Sequence, residues 1–266
     1  MNHPPQVVAT DLDGTLYRSD STVSPRSRAA LRLAADAGAI VVIVTGRPPR
    51  WVVPVAADTG SRGLAVCANG AYVVDLATGH VVEEHLLAPA AARACVAALR
   101  AAIPELTFAV ERGHDFSYEP AYRPRWPVPP GSEVGVVDGL LRTPVGKLLA
   151  RHERMSADEL LARASSIVGS AVTVTHSSRD GLLEVSAAGV SKATTLAAVC
   201  AERGLGSSDV VAFGDMPNDL PMLGWAGWSV AVANAHPEVL GAVDEVTASN
   251  DGDGVALVLE RMYRPG

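Results

Sequence analysis

Lysine is almost missing from this sequence: among 22 basic residues only Lys147 and Lys192 are lysines, and the rest are arginines. Asparagine is nearly as scarce, confined to Asn2, Asn69, Asn218, Asn234 and Asn250. Where a composition avoids a residue type, its few occurrences are worth inspecting. Cys67, Cys95 and Cys200 are odd in number and lack CxxC spacing, which excludes a disulfide framework or a cysteine zinc site and reads as reduced core thiols. The seven histidines show no HExxH or HxH spacing, so zinc chemistry is not expected. A P-loop and a G-x-S-x-G nucleophile elbow are also absent. The longest apolar run, "AIVVIV" at 39–44, is far too short to cross a bilayer. The opening "MNHPPQVVATDLDG" has no basic segment ahead of its apolar run, so no secretory signal is expected and the chain reads as cytoplasmic. A net charge of −7 argues against a nucleic-acid or membrane-surface partner, though a locally positive site could still take an anion.

What is present is a chain of 266 residues, 48% hydrophobic and 19% charged, long enough for one large domain or two modest ones. The first third alternates continuous apolar runs with a helix. "QVVATDL", "AIVVIVTGR" and "GLAVCANGAYVVD" read as strands buried on both faces. "SPRSRAALRLAADAG" reads as a helix capped by Ser24, with Pro25 in its first turn and Gly38 ending it. From about residue 83 the style changes. "PAAARACVAALRAA" and "SADELLARASSIVG" are helical, and "LTFAVER" alternates like a half-exposed antiparallel strand. "VGKLLARH" is another strand, "AVTVTHSS" and "GLLEVSA" form a hairpin, and 112–133 reads as a long loop. Parallel α/β patterning resumes after Gly189. The expected fold is therefore α/β, a Rossmann-like doubly wound parallel sheet formed by 1–82 and 188–266. An α+β domain, 83–187, is inserted into it.

Open α/β sheets bind ligands at the carboxyl ends of their strands. Four strand ends here carry polar residues: Asp11 and Asp13; Thr45, Gly46 and Arg47; Asn69; and Asp215 with Asn218 and Asp219. Lys192 starts the first helix after the insertion. Several carboxylates in one place call for a hard divalent cation, and Mg²⁺ takes oxygen ligands. Such a cation offsets the repulsion met by a dianionic phosphate, while Lys192 and the Thr45 hydroxyl suit the phosphate oxygens. A carboxylate nucleophile splits phosphate-ester hydrolysis into two easier steps, and a second carboxylate can pass the protons. Each motif alone would be an ordinary turn or cap; their conjunction, in order and at matching positions, points to phosphoryl transfer.

"DLDGTL", "VTGR", "GVSKATTL" and "GDMPNDLPML" resemble, in order, the four motifs of the haloacid dehalogenase superfamily of phosphatases. The long insertion is similar to the C2-type cap of the Cof-like sugar-phosphatase branch. "CANGAYV", "VANAHPEV" and "ASNDGDGVALVLE" look like further signatures of that branch. The resemblance implies Asp11 as nucleophile, Asp13 as general acid/base, and Thr45, Gly46, Lys192 and Asn218 as phosphate ligands. It implies Mg²⁺ held by Asp11, the Asp13 carbonyl and Asp215, with Asn218 and Asp219 completing or supporting the shell. Two positions depart from the pattern. Ala193 follows Lys192 where glycine is common, and Met216-Pro217 replaces a glycine-containing pair, removing a backbone donor.

The expected activity is hydrolysis of a small phosphorylated metabolite, sugar phosphates foremost. Flavin or pyridoxal phosphates, a phosphomutase, or a non-catalytic metabolite-binding regulator on the same fold are the alternatives. Candidate substrate contacts are Arg47, Asn69, Arg123, Arg125, Lys147 and His176, with Tyr122, Trp126 and Arg179 nearby in sequence. Glu184 reads as a structural hydrogen-bonding residue near the domain junction.

Overall fold

The computed structural model describes residues 3–264. They divide into two compact units, one made of the chain up to residue 83 and from 191 onward, the other of 84–190. The first unit begins with β1 (Val7–Thr10), α1 (Pro25–Asp36), β2 (Ile40–Val44), α2 (Val53–Thr59), β3 (Leu64–Cys67), β4 (Tyr72–Asp75) and β5 (Val81–Glu84). The signals read from the sequence set α1: the Ser24 hydroxyl accepts from Ser27 N–H, Pro25 fills the first turn, and Gly38 follows at φ 93°.

The inserted unit runs through α3 (Pro89–Ala102), β6 (Thr107–Arg112), β7 (Asp115–Tyr118), β8 (Glu133–Val134), α4 (Val137–Leu140), β9 (Lys147–Ser156), α5 (Ala157–Val168), β10 (Val172–Thr175) and β11 (Asp180–Ala187). Its sheet has the order β10-β11-β9-β6-β7-β8 and is antiparallel except where β8 joins β7. Val190 N–H donates to Ala187 O and Gly189 N–H to the Thr173 hydroxyl, so the turn after β11 belongs to this unit.

The chain then returns with α6 (Lys192–Ala201), β12 (Val210–Gly214), α7 (Leu220–Trp225), β13 (Trp228–Val232), α8 (Pro237–Leu240), β14 (Glu245–Thr247) and α9 (Gly254–Tyr263). The first unit's sheet has the order β14-β13-β12-β1-β2-β3-β4-β5. Its pairs from β14 to β3 are parallel, and β4 turns back antiparallel on β3. From β1 the chain moves one way to β2 and β3, and after the insertion it returns on the other side as β12. The strand order therefore reverses between β1 and β12, and a crevice opens at their carboxyl ends. Asp11 directly follows β1 and Asp215 directly follows β12.

Two expectations for the insertion need correction. "LTFAVER" is antiparallel but not half-exposed, because both faces of β6 are covered. Phe108 and Val110 pack with α3 and α5 residues such as Leu99 and Leu160, while Ala109 faces Phe116, Tyr122 and Leu149. The 112–133 segment is no plain loop, since it contains β7 and the start of β8. Its polarity disguises a hairpin in which Phe116 and Tyr118 stack at 5.6 Å between ring centroids. The three cysteines are free and buried. Among the described residues no helix is long and apolar enough to cross a membrane.

Phe108 is fully buried at the centre of the insertion's main core. Phe108→Ala is expected to destabilise the protein by about 3–5 kcal/mol, read as a lower midpoint in urea denaturation.

Candidate active site

The cluster rests on Lys192. Its Nζ lies 2.5 Å from Asp11 Oδ1 and 2.6 Å from Asp219 Oδ1, and the lysine is 1% exposed. Lys192 opens α6, whose N-terminus is closed by a capping box between Ser191 and Thr194. A lysine in a first turn opposes the helix dipole, so its two carboxylate partners must more than offset that cost. Burial disfavours the ammonium charge, but Asp11 and Asp219 outweigh it and hold the Lys192 pKa above the ordinary lysine range.

Asp215 is the third carboxylate. Its Oδ1 accepts from the Thr15 hydroxyl at 2.8 Å, and its carbonyl accepts from His236 N–H at 2.7 Å. Asp219 also fixes its own loop: Oδ2 accepts from the backbone N–H groups of Asp215 and Met216 at 3.0 and 3.1 Å. Pro217, whose lack of an N–H departs from the family pattern, is the first residue of the one-turn 3₁₀ helix 217–219, a position where proline fits. Ala193, the other departure, is buried in the first turn of α6. Gly14, at φ 82°, lies so close to Asp215 Oδ2 that a Cβ would overlap it.

Carboxylate oxygens of Asp11, Asp215 and Asp219 all lie within 4.8 Å of one another, and all three residues are buried. Three carboxylates against one ammonium leave a surplus of negative charge. Burial first, and then the neighbouring carboxylates, push Asp215 up to about 7 and Asp11 well above the usual carboxylate range; Lys192 only partly counters this at Asp11. An all-oxygen donor set with this charge deficit fits a hard divalent cation.

Asp13 stands apart from that triad. Its side chain is 58% exposed and is gripped by Arg47, with Nε 2.7 Å from Oδ2 and Nη2 2.5 Å from Oδ1. Arg47 in turn lies 4.7 Å above the Tyr17 ring, and the Tyr17 hydroxyl donates to Asp58 at 2.7 Å. Thr45 is fully buried; its carbonyl accepts from Asn69 N–H and its hydroxyl from Arg47 N–H, and half-buried Gly46 lies between. The Asn218 amide donates to Asn69 Oδ1 at 3.0 Å.

Sequence reasoning does not single out Thr15, Tyr17, Asp58, Asn234 or Asn250. Asn234 donates to Gly14 O and Asn250 to Tyr17 O, tying the loop after β1 to the far strands. Thr15, Asn234 and Asn250 lie within the family-like segments, and the scarcity of asparagine is a usable signal for two of them. Asp58 on α2 carries no such mark.

The insertion's candidates are placed differently. Lys147 sits inside the sheet, 2.5 Å from Glu184 Oε1 and 3.3 Å from Glu111 Oε2, and 4% exposed at its side chain. It is held there because it pairs across the strands with Glu111. His176 is equally buried, between Ser178 O at 3.0 Å and Asp158 Oδ1 at 2.9 Å. Tyr122 is buried in the smaller apolar cluster. Arg125 forms an ion pair with Asp180, while Arg123, Trp126 and Arg179 are exposed.

A family model described as haloacid dehalogenase-like hydrolase matches residues 8–259. The chain is 27% identical over 261 residues to the 5-amino-6-(5-phospho-D-ribitylamino)uracil phosphatase YcsE of Bacillus subtilis, covering 94% of this chain and 93% of that one. It is 30% identical over 256 residues to a phosphoglycolate phosphatase of Natronomonas pharaonis, covering 96% of each. The solved structure of BT1666 from Bacteroides thetaiotaomicron, among the phosphatases of the haloalkanoate (HAD) enzyme superfamily, superimposes with a TM-score of 0.81 at 25% identity. The match covers 98% of this chain and 96% of that one.

A carboxyl group raised to about 7 in the fold, against 3.8 when unperturbed, costs no stability below about pH 4. The cost grows as pH rises through that window and is complete above it. Asp215→Asn is therefore expected to raise the Tm of metal-free protein at pH 8, by about 2–4 °C for each kcal/mol relieved. The gain should vanish near pH 4. Calorimetry at the two pH values checks this, and added Mg²⁺ should stabilise the wild type more than the variant.

Proposed function

The chain belongs to the haloacid dehalogenase-like hydrolase family, and on that premise we propose that it is a Mg²⁺-dependent phosphomonoester hydrolase of small phosphorylated metabolites, sugar phosphates first among them. The observation that carries this reading is one buried ammonium, Lys192, shared by Asp11 and Asp219 with a third buried carboxylate, Asp215, alongside. Unlike the Lys147 cluster, which has two carboxylates, this one has three against its single ammonium. This one leaves room for a cation and an anion together.

In this reading an Asp11 carboxylate oxygen attacks phosphorus, and the bond from phosphorus to the leaving oxygen breaks. Asp13, in the role of general acid, gives a proton to that oxygen, leaving an aspartyl-phosphate on Asp11. Asp13, now a carboxylate, takes a proton from water as the water oxygen attacks phosphorus, and the bond to Asp11 breaks. Asp11 directly follows β1 and Asp13 lies in the turn just after it, so the proposal has one phosphate meet both, with buried Leu12 packed between them. Arg47 orients the otherwise exposed Asp13 carboxylate through its two-pronged contact. Lys192, the Thr45 hydroxyl, Gly46 and Asn218 are the phosphate-facing groups of the proposal. Mg²⁺, held by Asp11, Asp215 and Asp219 with the Asp13 carbonyl, would supply the positive charge that lets a dianionic phosphate approach a carboxylate.

The named relatives support the substrate class. A phosphorylated ribitylaminouracil and phosphoglycolate have little in common beyond small size and a terminal phosphate.

Asp11→Asn is expected to abolish hydrolysis of a generic aryl phosphate, and substantial remaining turnover would remove the nucleophile assignment. Asp13→Ala should lower kcat by about 10²–10⁴. Chelation with EDTA should silence the wild type and Mg²⁺ restore it. A panel of phosphorylated metabolites ranked by kcat/KM tests the substrate class, which fails if no small phosphomonoester is turned over.

A further inference from the structure

The "CANG" turn carries an arrangement that phosphate hydrolysis alone does not account for. Ala68, Asn69 and Gly70 have φ values of 49°, 57° and 107°, three successive residues in the left-handed region. Asparagine tolerates that conformation and glycine is indifferent to it, but alanine resists it, so surrounding contacts must hold the turn. Those contacts reach three parts of the site. Ala68 N–H donates to Arg47 O at 2.9 Å and Asn69 N–H to Thr45 O at 3.1 Å. Gly70 O accepts from the Thr195 hydroxyl at 2.9 Å, and Gly70 sits so close to Ser191 O that a Cβ would overlap it. The Asn69 side chain meets Asn218.

That amide pair is 3% and 4% exposed, yet Asn69 Nδ2 and Asn218 Oδ1 have no hydrogen-bond partner. Amide oxygen and nitrogen exchange places under a flip, so the pair has two equivalent orientations. In one, Asn218 donates to Asn69; in the other, Asn69 donates to Asn218. Either way one NH₂ and one carbonyl remain unmatched by protein. Buried polar groups are costly to leave unmatched, and a pair of them beside a binding site is matched by what binds there.

We propose that Asn69 is a positioning residue of the phosphate site, acting through Asn218. An anion beside Asn218 selects the orientation in which the Asn218 NH₂ turns to it and Asn69 donates to Asn218 Oδ1. Asn69 must be a donor for this to happen. The inference rests on the phosphatase reading above.

Asn69→Asp is the informative substitution. It keeps the shape and the tolerance of a left-handed backbone but can only accept, which locks Asn218 with its carbonyl toward the anion. The inhibition constant of inorganic phosphate against aryl phosphate hydrolysis should rise about tenfold, the scale of one lost hydrogen bond, and KM should rise with it more than kcat falls. In an Asn218→Ala background the same substitution should add little further loss. Simple repulsion by a new carboxylate would persist in that background, so additive losses overturn the proposal. Unchanged phosphate inhibition in Asn69→Asp overturns it as well. If Asn69→Asp fails to fold, Asn69→Gly removes the donor while suiting the backbone, and it should weaken phosphate in the same non-additive way. A wild type that neither hydrolyses aryl phosphates nor binds inorganic phosphate defeats the phosphatase reading itself, and this inference with it.

Discussion

The first unit depends on one buried ammonium. Lys192 comes from the chain that returns after the insertion, yet it meets Asp11 from the first strand and Asp219 from the loop after β12. Breaking one partner from such a group leaves a buried charge uncompensated, which is far costlier than losing a surface ion pair. The contact therefore fixes how the two strand ends face each other. The strand register does the rest, since Thr10 pairs with Phe213 and Asp11 N–H donates to Phe213 O. Sheet topology brings the acids to one crevice; Lys192 sets their spacing there.

Around that contact the loops are held by groups that both donate and accept. Asn218 binds Asn69, Asn234 reaches Gly14 O, and Asn250 reaches Tyr17 O while its N–H donates to Asn234 Oδ1. An asparagine can satisfy two backbone or amide partners without adding charge to a site already crowded with carboxylates. Aspartate could not do this without worsening the repulsion. Four of the chain's five asparagines, Asn69, Asn218, Asn234 and Asn250, lie in these loop contacts.

Much of this is legible in the amino-acid sequence. Continuous apolar runs identify the parallel strands, the caps of α1 and α5 are written as Ser-Pro and Ser-Ala-Asp-Glu, and the motif order puts Asp11, Asp13, Thr45, Lys192 and Asp215 at strand ends or a helix start. Local alternation, by contrast, misleads about exposure. β6 reads as half-exposed because Thr107, Glu111 and Arg112 are polar, but Glu111 is buried against Lys147, a partner on β9 that no local pattern announces. Lys147 and His176 read as open substrate contacts for the same reason: their carboxylate partners come from other elements. The Arg47–Asp13 grip and the Tyr17–Asp58 bond are likewise invisible in the sequence, being side-chain choices made only once the strand ends converge.

The chain's two lysines end in the same kind of environment, each buried between two carboxylates. At Lys147, burial opposes the charge, and Glu184 and then Glu111 outweigh it; the two glutamates lie on β11 and β6, which flank the lysine's own strand β9. At Lys192 the same arrangement is met by a further carboxylate, Asp215, that the lysine does not bond and that burial drives up to about 7. The lysine with two acids is thus a structural device this chain uses twice. What sets this cluster apart is the additional buried acid, whose ionisation is favoured by the Thr15 hydroxyl and Lys192, though not enough to outweigh burial and Asp219. A fold keeps such a group at a cost to its own stability, a cost that the cation of the proposed function would offset.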